Sequence, residues 1–423
     1  MYSFLPLLRR EWQLLLFGFA MSFSSCFGQT YFIALFGGEI RSDLQLSHGQ
    51  FGAAYSAATL VSALLLLKTG GLIDRMDLRR FAYFAALGLA GGALLLSAAA
   101  NLFLLLLALL LLRHFGQGLL SLSGATTMVR YLPRERGKAN AIAGMGYSVS
   151  EAVLPSVVVA MLALTGWRES WLLWTGAIAV LLPLLVRFTL LGHDRRHARY
   201  LKELQQPEAT QAARRGRPQR HWTRGEVLRD RRFYLFLPAL MASPLLFTGF
   251  MFHQVQLVES KGWSLGFWGA LYTLYALVSL LTKLLTGLLV DRHGAVKLVP
   301  LVILPMGLGL LLLALADSGV VALAFMLLLG ITVGGYATLS SPFFAEMYGT
   351  LHLGAIKSVT TAAMVFASSI APALMGWLID GGVALETQAL VGAGYIVAAA
   401  LLASFAAGSR GEPGTPQAHS GRG

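Results

Sequence analysis

Long apolar stretches recur along the whole chain, separated by short polar or turn-rich breaks. In hydrocarbon every backbone N–H and C=O group needs an internal partner, and a helix of ~20 residues crosses the bilayer. The stretches are too continuously apolar for barrel strands, whose side chains alternate. The pattern therefore predicts an all-α polytopic membrane protein with twelve spanning helices, near 12–37, 48–68, 79–100, 102–130, 138–164, 168–191, 233–257, 264–290, 296–316, 320–347, 353–378 and 388–408.

Composition supports a membrane protein. Hydrophobic residues make up 56% of the 423 positions and charged residues 13%, roughly half the charged share of a soluble domain. The single cysteine, Cys26, excludes a disulfide scaffold. The sequence contains no Cys/His cluster, Ser-His-Asp set or paired carboxylates at catalytic spacing. We therefore expect neither an enzyme nor a metal or cofactor site.

Basic residues fall on alternate loops and thereby orient the helices. Lys and Arg concentrate at the N-terminus and after the second and fourth spans, at Arg9, Arg10, Arg75, Arg79, Arg80, Arg134, Arg136 and Lys138. The intervening loops hold Arg41, Arg168 and Lys261. The positive-inside rule predicts cytoplasmic termini in the inner membrane. Contact with the anionic leaflet explains the net charge of +13, so the lipid bilayer, and not nucleic acid, is the expected partner.

One long polar stretch divides the apolar segments into two sets of six. Residues 192–232 are rich in arginine and contain Pro207 and Pro218. They predict a cytoplasmic linker, with a short surface helix near 195–206, between an N-terminal half (1–191) and a C-terminal half (233–408). Residues 409–423 have the composition of a disordered tail.

The two halves repeat each other at an offset of 217 residues. The matches include residue types that chance does not pair in apolar helices: Gly52 with Gly269, Tyr55 with Tyr272, Tyr131 with Tyr348, and Pro155 with Pro372. Duplicated six-helix halves are typical of secondary transporters, which place the substrate site between the halves near mid-membrane. Because one chain holds both halves, we expect a monomer to form such a site.

The repeat carries a recognisable loop string, GGLIDRMDLRR at residues 70–80, echoed as GLLVDRHG at 287–294. This doubled string resembles the marker of the major facilitator superfamily, and the resemblance covers essentially the whole chain. It implies twelve helices in two halves and alternating access. It also implies a conformational latch, in which glycine lets two helices approach and aspartate faces a helix N-terminus. The residues concerned are Gly70, Asp74, Arg75, Gly287, Asp291 and Arg292, while Asp77 replaces the glycine usual at its position.

Three further strings resemble the monocarboxylate-transporter branch and its oxalate/formate-like relatives. They are FGQTYF at 27–32, RYLPRERGKA at 130–139 and AEMYGTLHLGAIK at 345–357. The resemblance implies a small organic anion, a monocarboxylate, as substrate, with protons as co-ion in symport. A drug or metabolite exporter and a transport-inactive sensor remain alternatives. The string GYSVSE at 146–151 lacks the exporter pattern of the fifth helix, which favours the first interpretation.

Lys283 is one of three charged residues deep in the predicted spans, where an ionisable group is a functional hypothesis by default. Tyr272, Ser279 and Lys283 share one helical face. Relative to Gly287, Lys283 stands where the monocarboxylate branch has a substrate-binding arginine, and Ser279 replaces that branch's aspartate. We expect Lys283 to bind the substrate carboxylate; the alternative is a lysine that extends to the membrane surface.

Arg113 and Glu151 are the other deep charges, both near mid-depth of neighbouring spans, where an ion pair is feasible. One interpretation is a static pair that holds the N-terminal half together. The other makes Glu151 the proton carrier and Arg113 a second anion contact. Residues expected to line the same cavity are Gln29, Tyr31, Tyr55 and Tyr147. His253 is expected near the outer surface as a hydrated residue without a role.

Overall fold

The computed structural model describes residues 5–132, 135–204, 222–349 and 352–408. Within those ranges the chain folds into helices, without β-strands. In chain order they are α1 Leu5–Ser24, α2 Thr30–Ala34, α3 Gly37–Leu44, α4 His48–Thr69, α5 Leu72–Arg75, α6 Leu78–Ser97, α7 Leu102–Leu111, α8 Ser121–Tyr131, α9 Arg136–Leu164, α10 Trp167–Thr189, α11 His193–Leu204, α12 Arg224–Arg229, α13 Arg231–Phe252, α14 Gln254–Ser260, α15 Leu265–His293, α16 Ala295–Leu315, α17 Gly319–Tyr348, α18 Leu353–Asp380 and α19 Leu385–Gly408.

Eleven helical stretches in the described part of the chain are long and apolar enough to cross a membrane. The first predicted span, 12–37, is wrong as one continuous helix. Helix α1 ends at Ser24, a 3-10 turn covers Ser25–Gly28, and Gln29 is extended (φ −89°, ψ 152°) before α2 begins. At this break the first span comes close to the fourth, since a Cβ at Gly28 would lie 2.2 Å from the carbonyl oxygen of Leu112.

The fourth span contains a second irregularity, which lies next to the break at Gly28. Between α7 and α8 the chain forms a π-helical segment, Leu112–Leu120, whose wider turns are often found at functional sites. The 3-10 turn of the first span packs directly against this segment. Two interrupted spans therefore meet in the interior of the N-terminal half.

Matched glycines and prolines of the repeat form the interface between the halves. Helix α4 packs on α18, and α9 packs on α15. A Cβ at Gly52 would lie 2.3 Å from the carbonyl oxygen of Pro372, and one at Gly269 would lie 3.5 Å from that of Pro155. Each glycine thus faces the proline of the opposite half, which gives the interface its approximate two-fold symmetry.

The interface is closed at one end of the bundle. We call the end next to α11 and α12 the linker end and the opposite end the far end. At the far end, the carboxylate of Asp380 accepts hydrogen bonds from the backbone N–H groups of His48 (3.0 Å) and Gly49 (2.8 Å). Nearer the middle, the side chain of Gln254 donates to the carbonyl of Tyr31 at 2.8 Å. These contacts tie α4 to α18 and α14 to the first span.

The latch string behaves differently in its two copies. Asp74 pairs with Arg130 inside the N-terminal half, and Asp77 accepts from the backbone N–H groups of Arg79 (3.0 Å) and Arg80 (3.3 Å) to cap α6. Asp77 therefore has a structural reason to replace glycine. In this conformation Gly287 has no close neighbour, since a Cβ there would meet nothing within 4 Å, so its part in a latch stays a prediction.

The linker begins with the helix that the sequence predicts near 195–206, which runs from His193 to Leu204. It contacts the N-terminal half through a hydrogen bond between His197 Nδ1 and the Tyr131 hydroxyl (3.0 Å) and an ion pair between Asp194 and Arg79 (2.8 Å). Burial lowers the pKa of His193 to about 4. Residues 205–221 of the linker and the predicted disordered tail, 409–423, lie outside the described residues.

Candidate functional site

A cavity of about 250 Å³ lies between the two halves. The N-terminal half contributes a mostly polar wall, formed by Gln29, Thr30, Tyr31, Arg113, Gln117 and Tyr147. The C-terminal half contributes a wall without charge, formed by Pro244, Phe247, Thr248, Thr361, Met364, Val365 and Ser368. The two walls therefore differ sharply in chemical character.

The repeat places equivalent positions on both walls. At the offset of 217 residues, Thr30 corresponds to Phe247, Tyr31 to Thr248, and Tyr147 to Met364, and all six line the cavity. The cavity therefore lies on the approximate two-fold axis that relates the halves. In each of the three pairs the duplicated positions have diverged in residue type, which produced the chemical difference between the walls.

Arg113 is the cation of this cavity. Its side chain is buried, with the residue only 2% exposed, and Nη1 donates to the carbonyl of Gly28 at 2.9 Å. The guanidinium lies over the ring of Tyr55 at 5.0 Å from its centroid. Nε is buried without a hydrogen-bond partner, and no described acidic residue forms an ion pair with it. A buried guanidinium that lacks a counter-ion is suited to receive an anion from the cavity.

The two interrupted spans position this cation. Gln29 and Tyr31 flank the cavity because the chain leaves the helix at Gly28, and the freed Gly28 carbonyl orients Arg113. Arg113 and Gln117, four residues apart in the π-helical segment, both point into the cavity. Irregular backbone at mid-membrane is tolerated where it lines a cavity, and broken helices often form transport sites.

Gly28→Ala tests this packing. The added methyl group would lie 2.2 Å from Leu112 O and 2.6 Å from the amide nitrogen of Gln117. We expect a loss of about 1–3 kcal/mol in the free energy of unfolding, the usual range for overpacking. Gly91→Ala is the matched control, because a Cβ at Gly91 meets nothing within 4 Å. Thermal unfolding of the purified variants measures both; equal melting temperatures would contradict the close approach.

Tyr55 and Tyr31 are held in place by other buried groups. A hydrogen bond of 2.7 Å joins the hydroxyl of Tyr55 to Thr30, and one of 2.9 Å joins that of Tyr31 to Ser150. Tyr31 lines the cavity, whereas Tyr55 lies behind it beneath Arg113. Tyr55 therefore supports the cation and is not itself part of the wall.

The ion pair that the sequence made feasible between Arg113 and Glu151 is not formed among the described residues. Glu151 is 2% exposed and faces α15 instead, where the hydroxyl of Tyr275 donates to it at 3.4 Å. Tyr147, one turn earlier, also interacts with this carboxylate. Glu151 thus lies between the halves, next to the cavity, and is separated from Arg113.

Lys283 does not reach the cavity wall. Its ammonium group donates to the hydroxyl of Ser148 in the opposite half at 3.2 Å and attracts the Glu151 carboxylate, one turn further along α9. Tyr272 is buried and donates to Gln254 Oε1 at 2.7 Å. Ser279 is buried against α17, where a Cβ at Gly334 would lie 2.3 Å from its carbonyl oxygen. The polar face of this span therefore serves the contact between helices.

His253 is not the hydrated residue that the sequence suggested. It is 4% exposed, and its Nε2 hydrogen-bonds to the carbonyl of Pro372 at 3.0 Å. Its ring also lies 5.9 Å from that of His48 across the far-end interface.

Several wall residues were absent from the sequence-based set: Thr30, Gln117, Phe247, Thr248, Thr361, Met364 and Ser368. The repeat contained a usable signal for three of them, since Phe247, Thr248 and Met364 are the equivalents of wall residues in the first half. Gln117 follows Arg113 by one turn and could have been included on that ground.

These features, two six-helix halves around a central polar cavity, define the class as a helical transporter. The family model of the Major Facilitator Superfamily matches residues 18–270 and 247–422, so the chain belongs to that superfamily. No match is found among curated protein sequences.

Solved structures show the same fold at low identity. A bacterial homologue of the human lysosomal transporter Spinster, in an inward-facing, unoccupied conformation, is 14% identical with a TM-score of 0.65, covering 93% of this chain and 96% of that one. The nucleoside transporter NupG is 15% identical with a TM-score of 0.67, covering 94% and 98%. Membership of the Major Facilitator Superfamily agrees with the expectation that the chain is not an enzyme.

Proposed function

We propose that this protein is a secondary active transporter that carries a small organic anion, a monocarboxylate, through the cavity between its halves by alternating access. The observation that carries the proposal is Arg113, a buried guanidinium on the cavity wall with no acidic partner among the described residues. An uncompensated buried charge is expensive, and a bound carboxylate offsets that cost with charge-assisted hydrogen bonds. Gln29 and Gln117 supply further donors on the same wall.

The orientation follows from the charge pattern. Arg75, Arg79 and Arg80 lie at the linker end, which we therefore assign to the cytoplasm of a cell whose inner membrane holds the protein. The contacts of Asp380 with His48 and Gly49 then close the periplasmic end. On this assignment the cavity faces the cytoplasm, which corresponds to the inward-facing conformation of the Spinster homologue. One chain supplies both walls, so a monomer suffices.

Proton coupling is assigned to Glu151. Burial favours the neutral acid, while the nearby Lys283 charge favours the carboxylate, so a change in their separation changes how readily Glu151 takes a proton. Because Glu151 lies on α9 and Lys283 on α15, relative movement of the halves alters that separation. The Tyr275 hydroxyl, also on α15, moves with Lys283. This pairing replaces the ion pair between Arg113 and Glu151 that the sequence made feasible.

The latch residues act in the opposite conformation. Here Asp74 is held by Arg130 within its own half, and Gly287, Asp291 and Arg292 lie on a linker end that packs loosely. When the cytoplasmic end closes, we expect Gly70 and Gly287 to allow close helix contact. Asp74 and Arg75 would then meet the opposite half near Asp291 and Arg292.

Uptake into proteoliposomes tests the function. Vesicles preloaded with an unlabelled monocarboxylate should exchange it for external labelled monocarboxylate, and this counterflow should require the protein. The test substrate is 6-methylheptanoate, which has ten heavy atoms. A cavity of about 150 Å³ holds benzene, which has six heavy atoms, so a cavity of about 250 Å³ should hold roughly ten. Binding of this acid without any counterflow would identify a sensor, and transport of neutral or cationic compounds alone would identify an exporter.

A further inference from the structure

The cavity offers one positive charge and no second one. Of the described wall residues, Arg113 is the sole Lys, Arg or His. Lys283 lies outside the wall and is bound to Ser148, and His253 is buried at the far end on Pro372. A substrate in this cavity therefore meets a cation on one side only.

The opposite wall is unsuited to a second anionic group. Phe247, Met364 and Val365 present apolar surface to the cavity. The hydroxyl of Ser368 donates to the carbonyl of Val365 at 3.0 Å, so it offers lone pairs to the cavity and no proton. A carboxylate on this side would lose its hydration and gain no cation, since the other polar groups of this wall, the hydroxyls of Thr248 and Thr361, carry no charge.

We infer that the substrate is an amphipathic monoanion of about ten heavy atoms in all, with its carboxylate on Arg113 and its apolar body against Phe247, Met364 and Val365. Dicarboxylates are excluded by the wall of the C-terminal half, and very small acids such as formate leave its apolar surface unfilled. This inference rests on the proposed function, because it requires that Arg113 bind the anion. Met364 on α18 thus acts as a selectivity residue for the charge of the substrate.

An isosteric ligand pair tests the wild-type protein directly. Adipate and 6-methylheptanoate have the same backbone and the same number of heavy atoms, and differ in whether one end is a carboxylate or an isopropyl group. Calorimetry on the purified protein should find that 6-methylheptanoate binds at least about 30-fold more tightly than adipate. Formate should compete weakly. Equal affinities for adipate and 6-methylheptanoate would overturn the inference.

Met364→Lys provides a gain of function. Lysine has nearly the shape of methionine and places a cation opposite Arg113. Adipate should bind on the order of tenfold more tightly to Met364→Lys than to the uncharged control Met364→Gln, while 6-methylheptanoate should lose affinity. A failure of the lysine variant to fold leaves the wild-type comparison decisive.

The same assay separates this inference from the proposed function. Arg113→Gln should weaken binding of 6-methylheptanoate by on the order of 100-fold. If binding does not depend on Arg113, the proposed anion site is wrong. If binding requires Arg113 but adipate and 6-methylheptanoate bind equally well, the anion site stands and only the single-charge inference fails.

Discussion

Arg113→Gln is expected to weaken binding of 6-methylheptanoate by on the order of 100-fold, the usual consequence of removing one partner of a buried charge pair. The same substitution should leave the melting temperature unchanged or raise it. The guanidinium is buried without an acidic partner among the described residues, so its removal relieves an electrostatic penalty in the empty protein. Calorimetry and thermal unfolding of the purified variant measure the two effects.

This combination distinguishes a binding residue from a structural one. Arg187→Gln is the matched control, because Arg187 is exposed at the end of α10, and it should change neither property. Arg113→Lys keeps the charge but loses the planar set of donors, and should retain part of the affinity. A large drop in melting temperature with Arg113→Gln would instead assign Arg113 to holding the first span through Gly28.

Glu151→Gln is expected to separate exchange from accumulation. The amide mimics the protonated acid permanently, so substrate counterflow continues while the inward proton gradient no longer drives uptake. With one proton per anion the cycle is electroneutral, and a gradient of about one pH unit supports roughly tenfold accumulation by the wild type. The variant should reach no accumulation above equilibrium. Uptake in proteoliposomes with and without the gradient provides the measurement.

The control for this variant is Glu169→Gln, an exposed acid at the far end of α10 that should retain full accumulation. Since linkage is reciprocal, wild-type affinity for the anion should also rise on acidification, and this dependence should vanish in Glu151→Gln. Gradient-driven accumulation by Glu151→Gln would show that the proton is carried by another group and that Glu151 joins α9 to α15 structurally.

The architecture was accessible from the sequence because hydrophobicity and duplication both act over long stretches. The apolar segments predicted the spans, and the repeat identified Gly52, Gly269, Pro155 and Pro372, which turned out to pair across the interface. The distribution of basic residues among the loops predicted the orientation of the helices, and this prediction needed no atomic detail. These signals survive small local errors in where a helix begins or ends.

The site was only partly accessible, because its geometry depends on two departures from regular helix. The break at Gly28 and the π-helical segment after Leu111 both change which way the following side chains point. If both spans were regular helices, Arg113 and Glu151 could form an ion pair. The π-helical segment instead directs Arg113 toward Gly28 and Tyr55. The sequence predicted Lys283 deep in its span, but depth alone does not show that it faces Ser148.

Recognition of the negative charge of the substrate by Arg113 can be measured with a carboxylate and its amide. Calorimetry would compare 6-methylheptanoate with 6-methylheptanamide on the wild type and on Arg113→Gln. The wild type should prefer the carboxylate by on the order of 100-fold, and Arg113→Gln should lose this preference. A preference for the carboxylate that persists undiminished in Arg113→Gln would show that Arg113 does not recognise the charge.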